Sequence, residues 1–469
     1  MSSTDEKNLG NVLVLGLGGT GAAVCRYLAG LVGTRVESVT LYGGASSKEG
    51  DLSRELEALG VTCVLGTEDV KGSYDLAVTS PGIPKSSEFF KRALACSAEV
   101  IGEPELAFRE SPEHWLAITG TNGKTTTTSL TTHLLGQAGM DAISVGNIGR
   151  TIVGELSDRR SEEWFVAELS SFQLACASEL RPRAAVLLNI TPDHLEWHGS
   201  MQDYAESKAR IFHAMGADCL AVVSVDDEYC AKVACELAEG ADAPAVCHLS
   251  VCSEPAGDAA FVRGGRLVVR LADVEHDLLA ADELNIRGQH NWENALAASA
   301  LALFVGVGED DVRRGLASFN PIEHRIEPCG SHAGVNFVND SKATNTDSVE
   351  KALTAFDAGT ICLLLGGHDK MTDLTSLAAA VCDRVRLAVC YGEAGERIAC
   401  ALEAARAENS SGLEVVRAPH MREAFDAAVA AARPGDTVLL SPACSSFDEF
   451  NNMGERGRLF KKLVSELGE

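Results

Sequence analysis

Three places in the chain open with a short apolar run, pass through a glycine loop and continue into a helical pattern. They are NVLVLGLGGTGAAVCRYLAG from residue 11, WLAITGTNGKTTTTSLTTHLL from residue 115 and, more weakly, TICLLLGGHDKMTDLTSLAAAV from residue 360. An apolar run feeding a glycine turn and a helix is how an α/β unit with a parallel sheet begins. Three such starts in 469 residues predict three α/β domains. The polar stretch holding Pro104 and Pro112 puts the first boundary near residue 110, and Pro321, after the helical GEDDVRRGLASF, puts the second near residue 320. The expected architecture is a Rossmann-like domain over 1–110, a central phosphate-loop domain with a mainly parallel sheet over 111–320, and a second Rossmann-like domain over 321–469. Neither a solenoid repeat nor a low-complexity tract interrupts this reading.

Charge limits the ligands. With 40 basic and 67 acidic residues the net charge is −27, so the chain has no diffuse attraction for nucleic acid or anionic lipid, and any phosphate must be held by local donors. No apolar run approaches the roughly 18 residues of a membrane helix, and the start MSSTDEKNLG lacks the apolar stretch of a signal peptide. A cytoplasmic protein, without nucleic-acid or membrane partners, is expected. The 15 cysteines include no CxxC and suit reduced thiols. Cys230, Cys235, Cys247 and Cys252 form the densest group. A zinc quartet is one reading, but Cys230 and Cys235 fall in a helical stretch about 140° apart, which favours core packing.

Gly16-Leu17-Gly18-Gly19-Thr20-Gly21 matches the dinucleotide-binding turn GxGxxG, after a predicted strand at 12–15. A dehydrogenase also needs an acid at the end of the next strand for the ribose hydroxyls. Here that strand, 37–42, ends in Tyr42-Gly43-Gly44, and Glu37 is at its other end. NAD is therefore disfavoured, and a phosphate-bearing ligand of another kind is expected on the amides and dipole of the helix N-terminus. A structural tight turn is the bland alternative.

The second loop, Gly120-Thr121-Asn122-Gly123-Lys124-Thr125-Thr126, follows a predicted strand at 116–119 and precedes a helix. Ile118 stands where the general GxxxxGK[ST] pattern has its first glycine, so the loop is a shortened variant. Its parts map onto nucleotide binding: amides around the β-phosphate, Lys124 on the β/γ oxygens, and the Thr125 hydroxyl on Mg²⁺. Acidic ligands for that metal are offered by FVAELSSFQL and AAVLLNITPDHLEWHG, whose predicted strands at 164–167 and 184–188 deliver polar residues to the sheet's carboxyl edge. Glu168 is the leading candidate, followed by Asp193 and His194.

Taken together, GTNGKTT, ELSSFQL, NITPDHLEWHG, GQHNWENALAA, EHRIE, NDSKATN and LSPACSSFDEF occur in this order. The chain resembles the Mur ligases over nearly its whole length. GTNGKT and GQHNWENALAA are shared with folylpolyglutamate synthases, whereas SSFQL and NDSKATN resemble the branch that adds D-glutamate. The resemblance implies ATP-dependent amide synthesis in peptidoglycan precursor assembly: ATP phosphorylates the carboxylate of UDP-N-acetylmuramoyl-L-alanine, and the D-glutamate amine attacks the acyl phosphate. Another Mur ligase or a folylpolyglutamate synthase-like enzyme is the alternative, and a silent nucleotide-binding scaffold is a more distant one. A monomer is expected.

The resemblance also implies roles. Lys124, Glu168, His194 and Lys208 would form the catalytic centre. Thr125 and Glu168 would hold one Mg²⁺, and His194 with a carbamylated Lys208 a second. From the residues alone, Lys208 in DYAESKARIF reads as a solvated helix lysine. Asn294 would meet the adenine, with Asn291 and His290 nearby; Arg325 the ATP phosphates; Asp340 the ribose. A helix cap for Asn294 and an ion pair for Arg325 are the structural alternatives. Gly19 and Thr20 would receive the UDP diphosphate, and Ser80 and Asn147 the muramoyl and alanyl portion. Lys342, Thr344, Lys370, Ser446 and Phe447 would bind D-glutamate. The chain departs from the family's pattern at Tyr42-Gly43-Gly44, where uracil is recognised, and at Met453, where an aromatic is usual.

Overall fold

The computed structural model describes residues 8–238, 242–409 and 411–468, so residues 1–7 of the polar start read above lie outside it. Its strands gather into three sheets. The first holds β1 (Gly10–Leu15), β2 (Val36–Tyr42), β3 (Thr62–Val64), β4 (Leu76–Thr79) and β5 (Val100–Gly102), all parallel, in the order 3-2-1-4-5. The second holds β6 (Trp115–Thr119), β7 (Ala142–Gly146), β8 (Trp164–Glu168), β9 (Ala184–Leu187), β10 (Leu220–Ser224), β11 (Ala245–Ser250), β12 (Ala259–Arg263), β13 (Arg266–Leu271) and β14 (Val274–Ala280). Its order is 14-13-12-11-10-9-6-8-7, with only the β12–β13–β14 edge antiparallel. The third holds β15 (Glu327–His332), β16 (Val335–Asn339), β17 (Ile361–Gly366), β18 (Val385–Tyr391), β19 (Glu414–Arg417) and β20 (Thr437–Ala443). Here the order is 15-16-20-17-18-19, parallel apart from β15. The α/β class expected from the sequence is what the chain adopts.

The apolar runs become central strands because helices cover both faces of each sheet, leaving no polar side to encode. Every residue of β6, β9, β10, β17 and β20 is buried. Two compact units emerge from the pattern of contacts: residues 1–281 with 293–316, and residues 282–292 with 317–469. The first unit contains two sheets but one continuous core. Val12, Leu28 and Ile101 around the first sheet join through Leu106 and Ala107 to Trp115, Phe165 and Leu180 around the second. In the second unit one core lies on each face of the third sheet, around Leu363 and around Phe337, Phe425 and Phe460.

The cysteine group divides. Cys230 and Cys247 are buried as apolar fillers, whereas Cys235 and Cys252 are exposed, so core packing accounts for only half of it. The helix Glu228–Leu237 carries Cys230 and Cys235 on different faces, as the angular argument requires. No group of three or more His, Cys, Asp or Glu gathers for a metal among the described residues.

Candidate active site

Open α/β sheets bind ligands beyond the carboxyl ends of their strands, where the strand order reverses. In the first sheet that point lies between β1 and β4. The Gly16 amide donates to Tyr42 O (2.8 Å), and the Ser80 amide donates to Leu15 O (3.0 Å), so Ser80 and the first glycine loop meet at one edge. The Gly16 and Gly21 positions are closed to side chains: a Cβ on Gly21 would sit 1.9 Å from Gly16 O, and one on Gly16 2.9 Å from Ser80 Oγ. Gly18 and Gly19 face the other way, with nothing within 4 Å of either Cβ position. Gly19 and Thr20 begin the helix Gly19–Ala29, leaving its amides accessible to an anion. The Ser80 hydroxyl is buried without a hydrogen-bond partner among the described residues. Tyr42, where a uracil-reading residue was expected, is buried, and its hydroxyl accepts from the Lys71 amide (3.1 Å).

In the second sheet β6 lies at the reversal, between β9 and β8. The second glycine loop leaves β6 and enters the helix Lys124–Gln137 through Gly123, at φ +84°. A Cβ there would come 2.3 Å from Asn294 Oδ1. The loop is pinned from several sides: the Thr121 amide donates to Asn189 O (2.8 Å), the Asn122 amide donates to Asn189 Oδ1 (2.8 Å), and the Thr121 and Tyr204 hydroxyls share a bond of 2.9 Å. Asn294 is almost fully buried inside the helix Gln289–Phe304 and accepts from the Thr127 hydroxyl (3.2 Å). Asn294 does not cap its own helix, which begins five residues before it. Its carboxamide supports the phosphate loop. Nearby in sequence, the Asn291 side chain donates to Arg287 O (2.6 Å), and burial pushes His290 down to about 4, aided by Lys351 and Arg325.

Around this loop Lys124, Lys208 and Glu168 come together. Lys124 Nζ donates to Gly120 O (2.9 Å) and Thr121 O (2.8 Å), and Lys208 Nζ donates to the same Gly120 O (2.7 Å). Lys208 is buried, 2% exposed, with its ammonium 4.6 Å from the Tyr204 ring centre. The solvated-lysine reading of Lys208 is thus corrected: the helix Met201–Ala209 turns Tyr204, Ala205 and Lys208 inward together. Burial, and then the neighbouring Lys124, push the Lys208 amine well below its ordinary range, with Asp193 and Glu168 opposing. Glu168 ends β8, 2% exposed. Its Oε1 accepts from Asn147 Nδ2 (3.1 Å), the Asn147 amide donates to Glu168 O (2.8 Å), and Oε2 is a buried oxygen without a partner among the described residues. Thr125 is buried in the first turn after the loop. His194 sits at φ +54°, half-exposed, with Nε2 3.5 Å from Asp193 Oδ2 and its ring 4.8 Å from that of Phe172.

A buried carboxylate oxygen without a donor fits a cation. Mg²⁺ asks little of the protein, one or two carboxylates beside substrate phosphates and water.

In the second unit, loops leaving β16, β17 and β20 meet at one edge. His368 donates its amide to Ser445 O (2.9 Å), and Lys370 Nζ donates to Thr344 O (3.1 Å). Lys342 and Thr344 follow β16, with the Lys342 amide on His324 O (3.1 Å). The Ser446 hydroxyl is buried without a partner among the described residues, while Phe447 is 70% exposed. Arg325 is half-buried. Asp340 is buried, accepting from Ser441 Oγ (2.7 Å) and the Ile326 amide (3.2 Å), and burial raises its carboxyl to about 7. Asp340 thereby ties the segment that carries Arg325 to the sheet.

Sequence reasoning missed Arg456. Fully buried, it donates to Ser341 Oγ (3.0 Å), Ser341 O (2.9 Å), Cys444 O (3.0 Å) and Ser445 O (3.4 Å), stapling the loops after β16 and β20. The available signal was periodicity: Arg456, Phe460, Leu463 and Val464 share one buried helix stripe, and a cation on an apolar stripe calls for an explanation. Met453 meets the same group through its backbone, accepting from Ser341 Oγ (2.7 Å).

Comparisons with known proteins agree with this geometry. The Mur ligase middle domain profile matches residues 118–302, and the Mur ligase, glutamate ligase domain profile matches residues 324–444. The chain is 40% identical over 460 residues to a UDP-N-acetylmuramoylalanine–D-glutamate ligase from Geobacter metallireducens, covering 98% of each. It is 38% identical over 463 residues to a ligase of the same name from Alkaliphilus metalliredigens, covering 97% of this chain and 98% of that one. Among solved structures it is similar to UDP-N-acetylmuramate-alanine ligase from Thermotoga maritima, with a TM-score of 0.57, 18% identity, and 97% of this chain and 99% of that one covered. MurF from Acinetobacter baumannii superposes with a TM-score of 0.58 at 16% identity, covering 85% and 92%.

Proposed function

The chain belongs to the Mur ligase family, and on that premise we propose that it joins D-glutamate to UDP-N-acetylmuramoyl-L-alanine at the expense of ATP, in peptidoglycan precursor synthesis. The observation that carries this reading is the identity of 35–40% with D-glutamate ligases along nearly the whole chain. The geometry supplies its chemistry. A carboxylate is a poor electrophile, and phosphorylation converts it to an acyl phosphate that an amine can attack. Catalysis of phosphoryl transfer is mostly positioning and charge neutralisation.

The amides of Gly120–Thr126 cradle the ATP phosphates, and Lys124 turns from its loop carbonyls to the phosphate oxygens. Asn294, buried against Gly123, keeps the loop in that shape. Thr125 and the partnerless Glu168 oxygen would hold one Mg²⁺, and His194 with a carbamylated Lys208 a second; bound there, the ions neutralise phosphate charge. Asp340 orients the segment of Arg325; Arg325 would bind the ATP phosphates and Asp340 the ribose. The UDP diphosphate lies on Gly19 and Thr20, and Ser80 and Asn147 contact the muramoyl and alanyl portion. D-glutamate is held by Lys342, Thr344, Lys370, Ser446 and Phe447. Two carboxylates on an amino acid call for this mix of cations, amides and hydroxyls.

Carbamylation of Lys208 needs a neutral amine to attack CO₂, forming the N–C bond and releasing a proton. The depressed amine of a buried Lys208 meets that need. Lys208→Ala should be nearly inactive and partly rescued by a short-chain carboxylic acid; full activity without rescue refutes the ligand role. None of the described helices is long and apolar enough to cross a membrane. We place the enzyme in the cytoplasm as a monomer, divided into domains at residues 110 and 320. The deciding experiment measures phosphate release with UDP-N-acetylmuramoyl-L-alanine and each amino acid in turn. Activity with D-glutamate is expected; activity with L-alanine or meso-diaminopimelate instead overturns the proposal.

A further inference from the structure

Two carboxylates at the start of one helix reach from the first sheet into the loops of the second. The helix Glu103–Glu110 follows β5, and both Glu103 and Glu105 point into the interior, 2% and 0% exposed. Glu103 Oε1 accepts the Val153 amide (2.8 Å), and the Ile152 amide also hydrogen-bonds to this carboxylate. Glu105 accepts the Ser178 amide (3.1 Å), the Glu179 amide (2.8 Å), the Leu180 amide (3.1 Å) and the Ser178 hydroxyl (3.3 Å), with Arg109 beside it at 3.2 Å.

The clamped amides are not scattered. Ile152 and Val153 open the short helix that ends the loop after β7, the loop carrying Asn147. Residues 178–180 end the segment after β8, which carries Glu168 and the capped turn Ser171–Leu174. Asn147 and Glu168 are themselves joined through two hydrogen bonds. Gly146, whose Cβ would lie 2.3 Å from Glu168 O, leaves this pair no slack.

We infer that Glu103 is a positioning residue for the UDP-linked substrate: through the Val153 and Ile152 amides it sets the loop that presents Asn147, while Glu105 fixes the companion segment. The inference rests on the proposed contact between Asn147 and the muramoyl-alanyl portion. An ionised carboxylate with no ion pair among the described residues is a costly way to hold two amides, which singles Glu103 out from ordinary packing. Burial pushes its carboxyl up to about 7, against the pull of the Val153 and Ile152 amides. Its own helix also carries Glu105, Arg109 and Glu110, and the helix opened by its two amide partners carries Glu155. Because the folded value lies above the ordinary 4.5, ionising Glu103 costs stability as pH rises through about 7, and acid removes that cost while weakening the grip on the amides.

The test compares wild type, Glu103→Gln and Asn147→Ala, reading KM for UDP-N-acetylmuramoyl-L-alanine and for ATP between pH 6 and 8. Glu103→Gln should raise the first KM about tenfold at pH 8, the size of one lost hydrogen bond, and leave the ATP KM unchanged. The wild-type KM should climb toward the variant's as pH falls through about 7, whereas the variant's profile should be flat. Should Glu103→Gln not fold, Glu103→Asp, which keeps the charge but withdraws it, must show the raised KM, and the wild-type profile stands by itself. A wild-type KM and pH profile in the folded variant, alongside a raised KM in Asn147→Ala, overturns the role of Glu103. An unchanged KM in Asn147→Ala overturns the substrate contact beneath it.

Discussion

Gly19 and Gly123 each open a helix at the carboxyl end of a parallel strand, yet their surroundings are opposite. A side chain on Gly19 would meet nothing within 4 Å; one on Gly123 would collide with Asn294 at 2.3 Å. The first loop stands open and offers only amides and a helix dipole. The second is braced by Asn189, Tyr204 and Asn294, carries Lys124, and receives on its Gly120 carbonyl the ammonium of Lys208, which feels Glu168. Under the proposed function this separates a phosphate that is only held from one that is transferred. A bound diphosphate needs donors, whereas a phosphoryl in flight needs charge fixed in position before it arrives.

The largest effect should come from removing that charge. Lys124→Ala should lower kcat by about 10³-fold or more while its melting temperature and its affinity for the UDP substrate stay at wild-type values, read by calorimetry. A modest loss would make the second loop as passive as the first. Next come the closed glycines. Gly123→Ala should cost about 2–3 kcal/mol in denaturant unfolding, from the clash and the positive φ together, and raise the ATP KM. Gly21→Ala, whose Cβ would sit 1.9 Å from a backbone carbonyl, should cost a similar amount but act on the UDP substrate instead. Smaller still is Gly19→Ala: it should stabilise the helix start by a few tenths of a kcal/mol yet weaken the UDP substrate severalfold, measured by melting and KM. Equal losses at Gly19 and Gly21 would erase the distinction between an open and a closed position. In the second unit, Arg456→Lys keeps the charge but not the four carbonyl and hydroxyl contacts, and should raise the D-glutamate KM with little change in the ATP KM.

Strands were legible in the sequence where a short apolar run or a glycine loop marked them, though β10 and β20, buried throughout, were not read, and β2 was read despite its exposed Glu37 and Ser38. The runs at 12–15, 37–42, 116–119, 164–167 and 184–188 became Gly10–Leu15, Val36–Tyr42, Trp115–Thr119, Trp164–Glu168 and Ala184–Leu187. The second glycine loop was legible for a similar reason: its donors, its cation and its hydroxyl are consecutive. Long-range supports were not. Asn294 bonds Thr127, 167 residues away, and Arg456 bonds Ser341, 115 residues away, distances at which spacing carries no information. Lys208 is the instructive intermediate. Residue type alone made it a solvated lysine, but Tyr204, Lys208, Ile211 and Phe212 fall on one buried stripe, so its burial was written in the helical period.

The chain enters its second unit at Asp282, leaves it after Trp292 and returns at Ala317. Synthesis delivers the polypeptide from its N-terminus, so the residues that finish the first unit, 293–316, emerge after a segment whose own partners do not yet exist. A chain ending at residue 316 would hold every residue of the first unit, yet 282–292 would lack the unit that 317–469 complete.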